Sequence, residues 1–190
     1  MRPIFPTWTE ITLGNGLRTM EDFVNELSRR GYKYRDINQD STAPLFNSPQ
    51  YKSEKEERRV SFVIVEPKDL GFRGEWIDEE DFPKFFERAI KCGLELCPPE
   101  TGPQILVQTN NLEYLSIAMD QILIKTSTGI DKCIFEIMNG QPTRESYHGC
   151  SRDEKPLDEG QIIHPGGPLL TVDRCHGGTT TDYPYAFIKP

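Results

Sequence analysis

The first predicted helix is indicated by an apolar stripe, by a capping motif before it and by a glycine after it. Its apolar residues recur three or four positions apart, as one face of a helix requires: Met20, Phe23, Val24 and Leu27. Thr19 stands where an N-cap is expected, and Asp22 completes a capping box three positions later. Gly31 follows the last turn, where a glycine commonly ends a helix. The pattern predicts an amphipathic helix with one face on a core.

A second apolar stripe predicts another helix near residues 80–91. Its apolar residues are Phe82, Phe85, Phe86, Ala89 and Ile90. Pro83 has no amide hydrogen to donate and belongs in a first turn, which places the start of the helix near Glu80. The acidic residues before it suit the positive end of a helix, which explains them without a metal ion: Glu75, Asp78, Glu79, Glu80 and Asp81.

Strand patterns dominate the rest of the chain. β-Branched residues crowd 60–66, and both faces of that run are apolar, which predicts a central strand. A shorter run at 8–13 predicts another strand. The polar, proline-containing residues 36–59 predict a long surface loop. Further strands are predicted at 104–109, 114–124, 132–138 and 185–189.

The segment 91-KCGLELCPPETGPQILVQT-109 is predicted to join a helical region to a β region. Residues 91–93 end a helix, 94–96 alternate as a short strand does, and 98–103 turn the chain before Ile105 starts the β half.

Cys92 and Cys97 lie in this joint, and the spacing argues against a redox pair. Five extended steps would separate their Cα atoms by roughly 15 Å, whereas a disulfide needs about 7 Å or less. We expect both thiols to act as small hydrophobic side chains.

These elements predict a single α+β domain over residues 1–190. Residues 1–97 form a helix and strand half, in which two helices pack on a mixed sheet. Residues 98–190 form an antiparallel β half with long loops. A chain of 190 residues can bury about two thirds of its unfolded surface, so one core suffices.

The net charge of −8 argues against general nucleic-acid binding, which needs clustered cations. No apolar run approaches eighteen residues, so the sequence predicts no membrane span. The first residues lack the apolar core of a signal peptide, and the five cysteines are odd in number. We therefore expect a cytoplasmic protein with reduced thiols.

Side chains that could bind zinc are concentrated in the last third of the chain. His148, Cys150, Cys175 and His176 could supply four ligands, with His164 as a substitute. Their spacing matches no zinc-finger pattern, and neighbours such as Cys175 and His176 point to opposite faces of a strand. We therefore expect no metal and no cofactor, and zinc is kept as the alternative.

The same region offers the residue types of a thiol hydrolase. Cys150 or Cys175 would be the nucleophile, His164 the base and Asp173 the orienting acid. Glycine pairs nearby could donate backbone N–H groups to an oxyanion. Nothing in the spacing enforces this arrangement, so catalysis is also kept as an alternative.

The most distinctive residues carry a resemblance. The segment 93-GLELCPPETGPQIL-106 resembles the GLELCP-x-E-x-GPQ-L segment of a widespread family of uncharacterised bacterial proteins. The runs 117-IAMDQI-122 and 60-VSFVIVEPKDLGF-72 also match, so the resemblance covers about residues 7–122. It implies a shared architecture and a bacterial or mobile-element origin. The family has no established activity, so the resemblance implies no catalytic residues.

The sequence shows no phosphate loop, nucleophile motif or cofactor fingerprint. We therefore expect a small soluble bacterial protein that acts without catalysis, as a binding or interaction module for a protein partner.

Overall fold

A computed structural model describes residues 3–32, 36–78, 80–110, 112, 114–126, 129–139, 168–174 and 179–190. The α+β class is confirmed. The helices within this part of the chain are α1 (Met20–Arg29), α2 (Gln39–Phe46), α3 (Phe82–Lys91) and α4 (Thr101–Gln108), with a short 3₁₀ helix at Pro67–Leu70. The strands are β1 (Thr9–Leu13), β2 (Asp36–Ile37), β3 (Arg58–Val65), β4 (Trp76–Ile77), β5 (Leu115–Ile117), β6 (Ile122–Lys125), β7 (Ile130–Asn139), β8 (Pro168–Arg174), β9 (Thr179–Thr180) and β10 (Tyr185–Lys189).

One mixed sheet organises the molecule. Its strand order is β1-β3-β10-β5-β7-β8-β2, and β6 pairs with β7 beside β5. The β10–β5 and β2–β8 pairs are parallel, and the other pairs of this sheet are antiparallel. Strands β4 and β9 form a separate two-stranded sheet. The last strand therefore lies in the middle of the main sheet, between β3 and β5.

Helices cover both faces of the main sheet. On one face, Phe85 of α3 packs on Tyr185 and Phe187 of β10, with ring centroids 5.0 and 5.6 Å apart. On the other face, Gly102 of α4 lies against Phe135 and Ile117. Because both faces are covered, the central strand β3 is apolar on both sides, as its sequence predicts.

The first helix has the ends that the sequence predicts. The Thr19 hydroxyl accepts the N–H of Asp22 at 3.1 Å, and the Asp22 carboxylate accepts the N–H of Thr19 at 2.8 Å. Phe23 and Leu27 of its apolar stripe are buried. The second predicted helix is α3, which begins at Phe82 rather than near Glu80.

The prediction of a turn and a strand at 98–109 is wrong, because Thr101–Gln108 is a helix. Residues 101–107 are all buried, so the run has no exposed face from which a helical period could be read. Its polar side chains lie four positions apart and bond to the start of the chain. Gln104 bonds to Asn15, and Gln108 accepts the N–H of Thr12 at 2.9 Å.

The prediction of a continuous loop at 36–59 is also wrong. Strand β2 and helix α2 occupy 36–46 of this segment. Asn38 caps α2 by accepting the N–H of Ser41, and Pro44 lies inside the helix, where it masked the pattern. The described residues therefore contain four α-helices where two were predicted.

The end of a helix at 91–93 is confirmed, since α3 ends at Lys91, but the chain then enters α4 rather than a β half. The thiols of Cys92 and Cys97 are free, and Cys97 is buried and donates to the carbonyl of Ala186. In place of a short strand at 94–96, single bridges pair Glu95 with Ile188 and Cys97 with Met119.

No helix among the described residues is long and apolar enough to cross a membrane.

We expect Gly102→Ala to destabilise the protein by about 1–3 kcal/mol. A Cβ atom at Gly102 would lie 2.7 Å from the Cβ of Phe135, too close for either backbone to stay in place. Chemical denaturation would measure the loss. Asn25→Ala, on the exposed side of α1, introduces the same side chain without a close neighbour and should change stability by less than about 0.5 kcal/mol. Equal midpoints for both variants would contradict the close approach.

Candidate functional site

The cysteine and histidine residues singled out from the sequence lie outside the described residues: His148, Cys150, His164, Cys175 and His176. Asp173, the acid predicted for the hydrolase, is described. It is half-buried in β8, opposite Ile134 of β7. The zinc and hydrolase hypotheses therefore stay predictions.

No group of three or more His, Cys, Asp or Glu residues in the described part of the chain is placed to hold a metal ion.

A pocket lies at one end of the main sheet, where the start of β1, the end of β3 and the starts of β10 and β5 meet. Its volume is about 300 Å³. The residues that line it are Trp8, Ile64, Glu66, Tyr114, Leu115, Asp182 and Pro184. Except for Asp182, which lies in the turn between β9 and β10, each lies within one residue of a strand end, so the strands set most of their spacing.

The pocket combines apolar walls with an acidic rim. Trp8 supplies an indole ring, and the backbone N–H of Trp8 donates to the Phe62 carbonyl at 2.7 Å, which holds this residue beside β3. The carboxylates of Glu66 and Asp182 both pair with the ammonium group of Lys68. Two carboxylates share one cation, so the rim keeps a net negative charge.

Backbone bonds fix the rim. The Asp69 carboxylate accepts the backbone N–H of Glu66 at 2.9 Å, which holds Glu66 at the start of the 3₁₀ helix. The Lys68 N–H bonds to the Thr181 carbonyl at 3.1 Å, and the Thr181 hydroxyl donates to the Gly74 carbonyl at 2.6 Å. The residues before β10 are therefore held against the 3₁₀ helix.

A buried carboxyl group lies directly behind the pocket. The Tyr114 hydroxyl, on the pocket wall, donates to Oε1 of Glu136 at 2.8 Å, and Tyr183 donates to the same oxygen. The two tyrosine rings meet edge to face, 4.8 Å between centroids. Glu136 is only 7% exposed and lies beside Ser116 in the register of β5 and β7.

Burial controls the titration of this cluster. It raises the pKa of Glu136, and the two phenol donors pull that pKa back toward its ordinary value. Burial also raises the pKa of Tyr183 and of Tyr114, and the charge of Glu136 adds to both shifts. Asp173 makes a smaller contribution of the same sign to the pKa of Tyr114. The cluster therefore resists loss of its phenol protons and keeps the hydrogen bonds directed at Glu136.

Sequence reasoning missed this site. Two signals were present: a glutamate inside the apolar strand 133-CIFEIM-138, and the tyrosines of 183-YPY-185. A single acidic residue among buried neighbours needs hydrogen-bond donors. Tyrosine hydroxyl groups can supply such donors inside a core. Tyr114 and Trp8 gave no such signal, because strand pairing brings them together from distant parts of the chain.

Comparisons with family models, with curated proteins and with solved structures find no match to this chain.

We expect the ionisation of buried Glu136 to destabilise the fold, so the free energy of unfolding should depend on pH. Since the folded state raises the pKa of Glu136, the folded state binds the proton more tightly than the unfolded state does. The free energy of unfolding should therefore fall as pH rises from the unfolded value, about 4.3, to the folded value. Glu136→Gln keeps an oxygen for both phenols and removes the titration.

Denaturation of wild type and Glu136→Gln between pH 4 and pH 8 tests this. The stability of the variant relative to wild type should grow with pH, by about 1.4 kcal/mol for each pH unit between the unfolded and folded pKa values of Glu136. Parallel profiles would show that Glu136 titrates alike in both states.

Thiol labelling gives another prediction. Burial raises the pKa of Cys97, and a buried neutral thiol reacts slowly, so Cys97 and the buried Cys133 should resist iodoacetamide in the folded protein. Mass spectrometry of timed samples would compare them with half-buried Cys92 and with denatured controls. Fast, selective labelling of Cys150 or Cys175 would favour the hydrolase; slow, unselective labelling would count against it.

Proposed function

We propose that this chain is a non-catalytic binding module, and that its pocket receives a cationic side chain of a protein partner. The observation that carries the proposal is the pairing of an indole ring and apolar walls with an acidic rim at one sheet end. A bacterial origin, which the resemblance over residues 7–122 implies, belongs to the same proposal.

Charge and ring placement support a cationic ligand. A lysine or arginine head group gains from carboxylates and from the face of an aromatic ring. Glu66 and Asp182 supply the charge, and Trp8 and Tyr114 supply the rings. The whole chain carries a net charge of −8, so its field attracts cations to the pocket from a distance.

Size supports a side chain over a larger ligand. At about 300 Å³ the pocket is at the lower end of the range for small-molecule sites. The apolar walls from Ile64, Leu115 and Pro184 suit the methylene stem of lysine or arginine, whose charged head would then reach the rim.

The hydrolase and structural-zinc alternatives rest on Cys150, Cys175 and the histidines, and the pocket does not depend on either. A partner with a protruding lysine or arginine is the simplest occupant that uses both the walls and the rim.

Tryptophan fluorescence can test the proposal directly. The chain has two tryptophans, so Trp76→Phe leaves Trp8 as the single reporter on the pocket wall. The probes are short blocked peptides with one central lysine, arginine, norleucine or glutamate. We expect saturable changes with lysine or arginine, at least about tenfold tighter than with norleucine, and none with glutamate.

Charge variants show where the peptide binds. Glu66→Gln and Asp182→Asn should weaken lysine-peptide binding by about three- to tenfold each. Glu87→Gln, an equal change of charge on the exposed side of α3, should leave binding within twofold. Equal affinity for lysine and norleucine peptides would refute the cationic ligand, and cleavage of a probe peptide would refute the non-catalytic assignment.

A further inference from the structure

The hairpin of β6 and β7 carries a surface that is both apolar and positively charged. In this hairpin Leu123 pairs with Lys132, and Lys125 pairs with Ile130. Paired residues and residues two positions apart on a strand share a face, so these four side chains lie together. Leu123 is 51% exposed and Ile130 is 67% exposed, and both lysines are exposed as well. We call these four residues the hairpin patch.

The opposite face of the hairpin is packed on the core, so the patch has a fixed frame. Ile122 and Cys133, which pair with each other, are both buried there. Beyond the paired residues, the N–H of Thr126 donates to the Gly129 carbonyl at 2.8 Å and joins the two strands again. The patch therefore projects from the sheet with a defined shape.

The charge of the patch is not neutralised by the residues around it. Neither Lys125 nor Lys132 belongs to an ion pair within the described part of the chain. Asp131 lies between Ile130 and Lys132, but it is buried and alternates to the other face of the strand. A chain with a net charge of −8 thus presents two cations beside two exposed apolar side chains. This combination is the complement of a pocket with apolar walls and an acidic rim.

The pocket and the hairpin patch lie toward opposite ends of β7. Leu115 of the pocket wall pairs with Ile137, whereas Lys125 pairs with Ile130. The seven steps from Ile130 to Ile137 span roughly 24 Å along the strand. Since one sheet fixes both positions, Lys125 cannot enter the pocket of its own chain.

We propose that the partner of the pocket is a second copy of this chain, which inserts Lys125 head to tail. The inference rests on the proposed function, because it names the partner of the same cationic pocket. The ammonium group of Lys125 would meet the carboxylates of Glu66 and Asp182, and Ile130 beside it would extend the apolar contact. A second copy is favoured because one chain carries both complementary surfaces.

A contact between two different surfaces has a consequence for the assembly. Each bound copy still offers one pocket and one hairpin patch, so association continues beyond a dimer, into a ring or an open chain. The hairpin patch is small, and its charges are exposed. We therefore expect weak association that high salt weakens further.

Sedimentation velocity tests the assembly. Wild type is compared from about 5 to 500 µM at about 20 and 500 mM salt. We expect monomer at the lowest concentration and species larger than a dimer at the highest in low salt. Lys84→Gln/Lys91→Gln removes two exposed lysine charges from α3 and should associate like wild type. Wild type that stays monomeric at every concentration would overturn the proposal.

Two half-site variants test the head-to-tail geometry. The patch variant, Lys125→Gln/Lys132→Gln, keeps the pocket, and the pocket variant, Glu66→Gln/Asp182→Asn, keeps the patch. Each variant alone should be monomeric. An equimolar mixture should form a dimer and nothing larger, because only one productive contact remains. Association of either variant alone as strong as that of wild type would overturn the proposal.

Trp8 fluorescence separates failure of this inference from failure of the pocket. The patch variant with Trp76→Phe keeps Trp8 as its reporter. It is titrated with the blocked lysine peptide and with the pocket variant in which both tryptophans are replaced by phenylalanine. We expect saturable changes with both ligands, and competition between them. A response to the peptide alone would overturn self-association and assign the pocket to another protein. No response to either ligand would overturn the proposed function and this inference together.

Discussion

The contact between α4 and the centre of the sheet sets the positions of most other elements. Gly102 brings the helix axis closer to Phe135 and Ile117 than any side chain would allow. At that distance the polar side chains of α4 reach the first strand and its turn, and Gln108 holds both the N–H and the carbonyl of Thr12. Strand β1 is thus held at the sheet edge by a helix as well as by β3. Since Trp8 immediately precedes β1, one wall of the pocket depends on the same contact.

The two buried glutamates show two ways of placing a carboxyl group in a core. Glu136 receives phenol donors from residues far away in sequence, whereas Glu100 receives backbone donors from two loops. Burying a carboxylate without such donors costs several kcal/mol. Each site therefore adds hydrogen bonds between segments that are distant in the sequence. The acidic pocket rim differs from both, because its two carboxylates reach solvent and share the single cation of Lys68.

The predictability of this structure from its sequence depended on whether an element had a solvent-exposed face. Helix α1 has buried and exposed faces, so its apolar stripe and its capping box could both be recognised in the sequence. Helix α4 is buried almost throughout, and its short apolar run at 105–107 resembled a buried strand. Pro44 hid α2 in a similar way. The segment most recognisable in the sequence, around Cys97 and Glu100, serves packing. The pocket was not predictable, because Trp8, Tyr114 and Asp182 meet only through pairing of distant strands.

The central position of β10 has a consequence for how the protein is made. Tyr185 pairs with Val65 across 120 residues of chain, and β10 is also the strand that joins β3 to β5. During synthesis β3 and β5 emerge long before β10, with backbone donors and acceptors exposed along facing edges. Such edges pair readily with other chains. The nascent chain therefore passes through a stage at which the helices can form but the sheet is split in two. The yield of folded protein in a cell should depend on how well the exposed edges of β3 and β5 are protected until β10 has been synthesised.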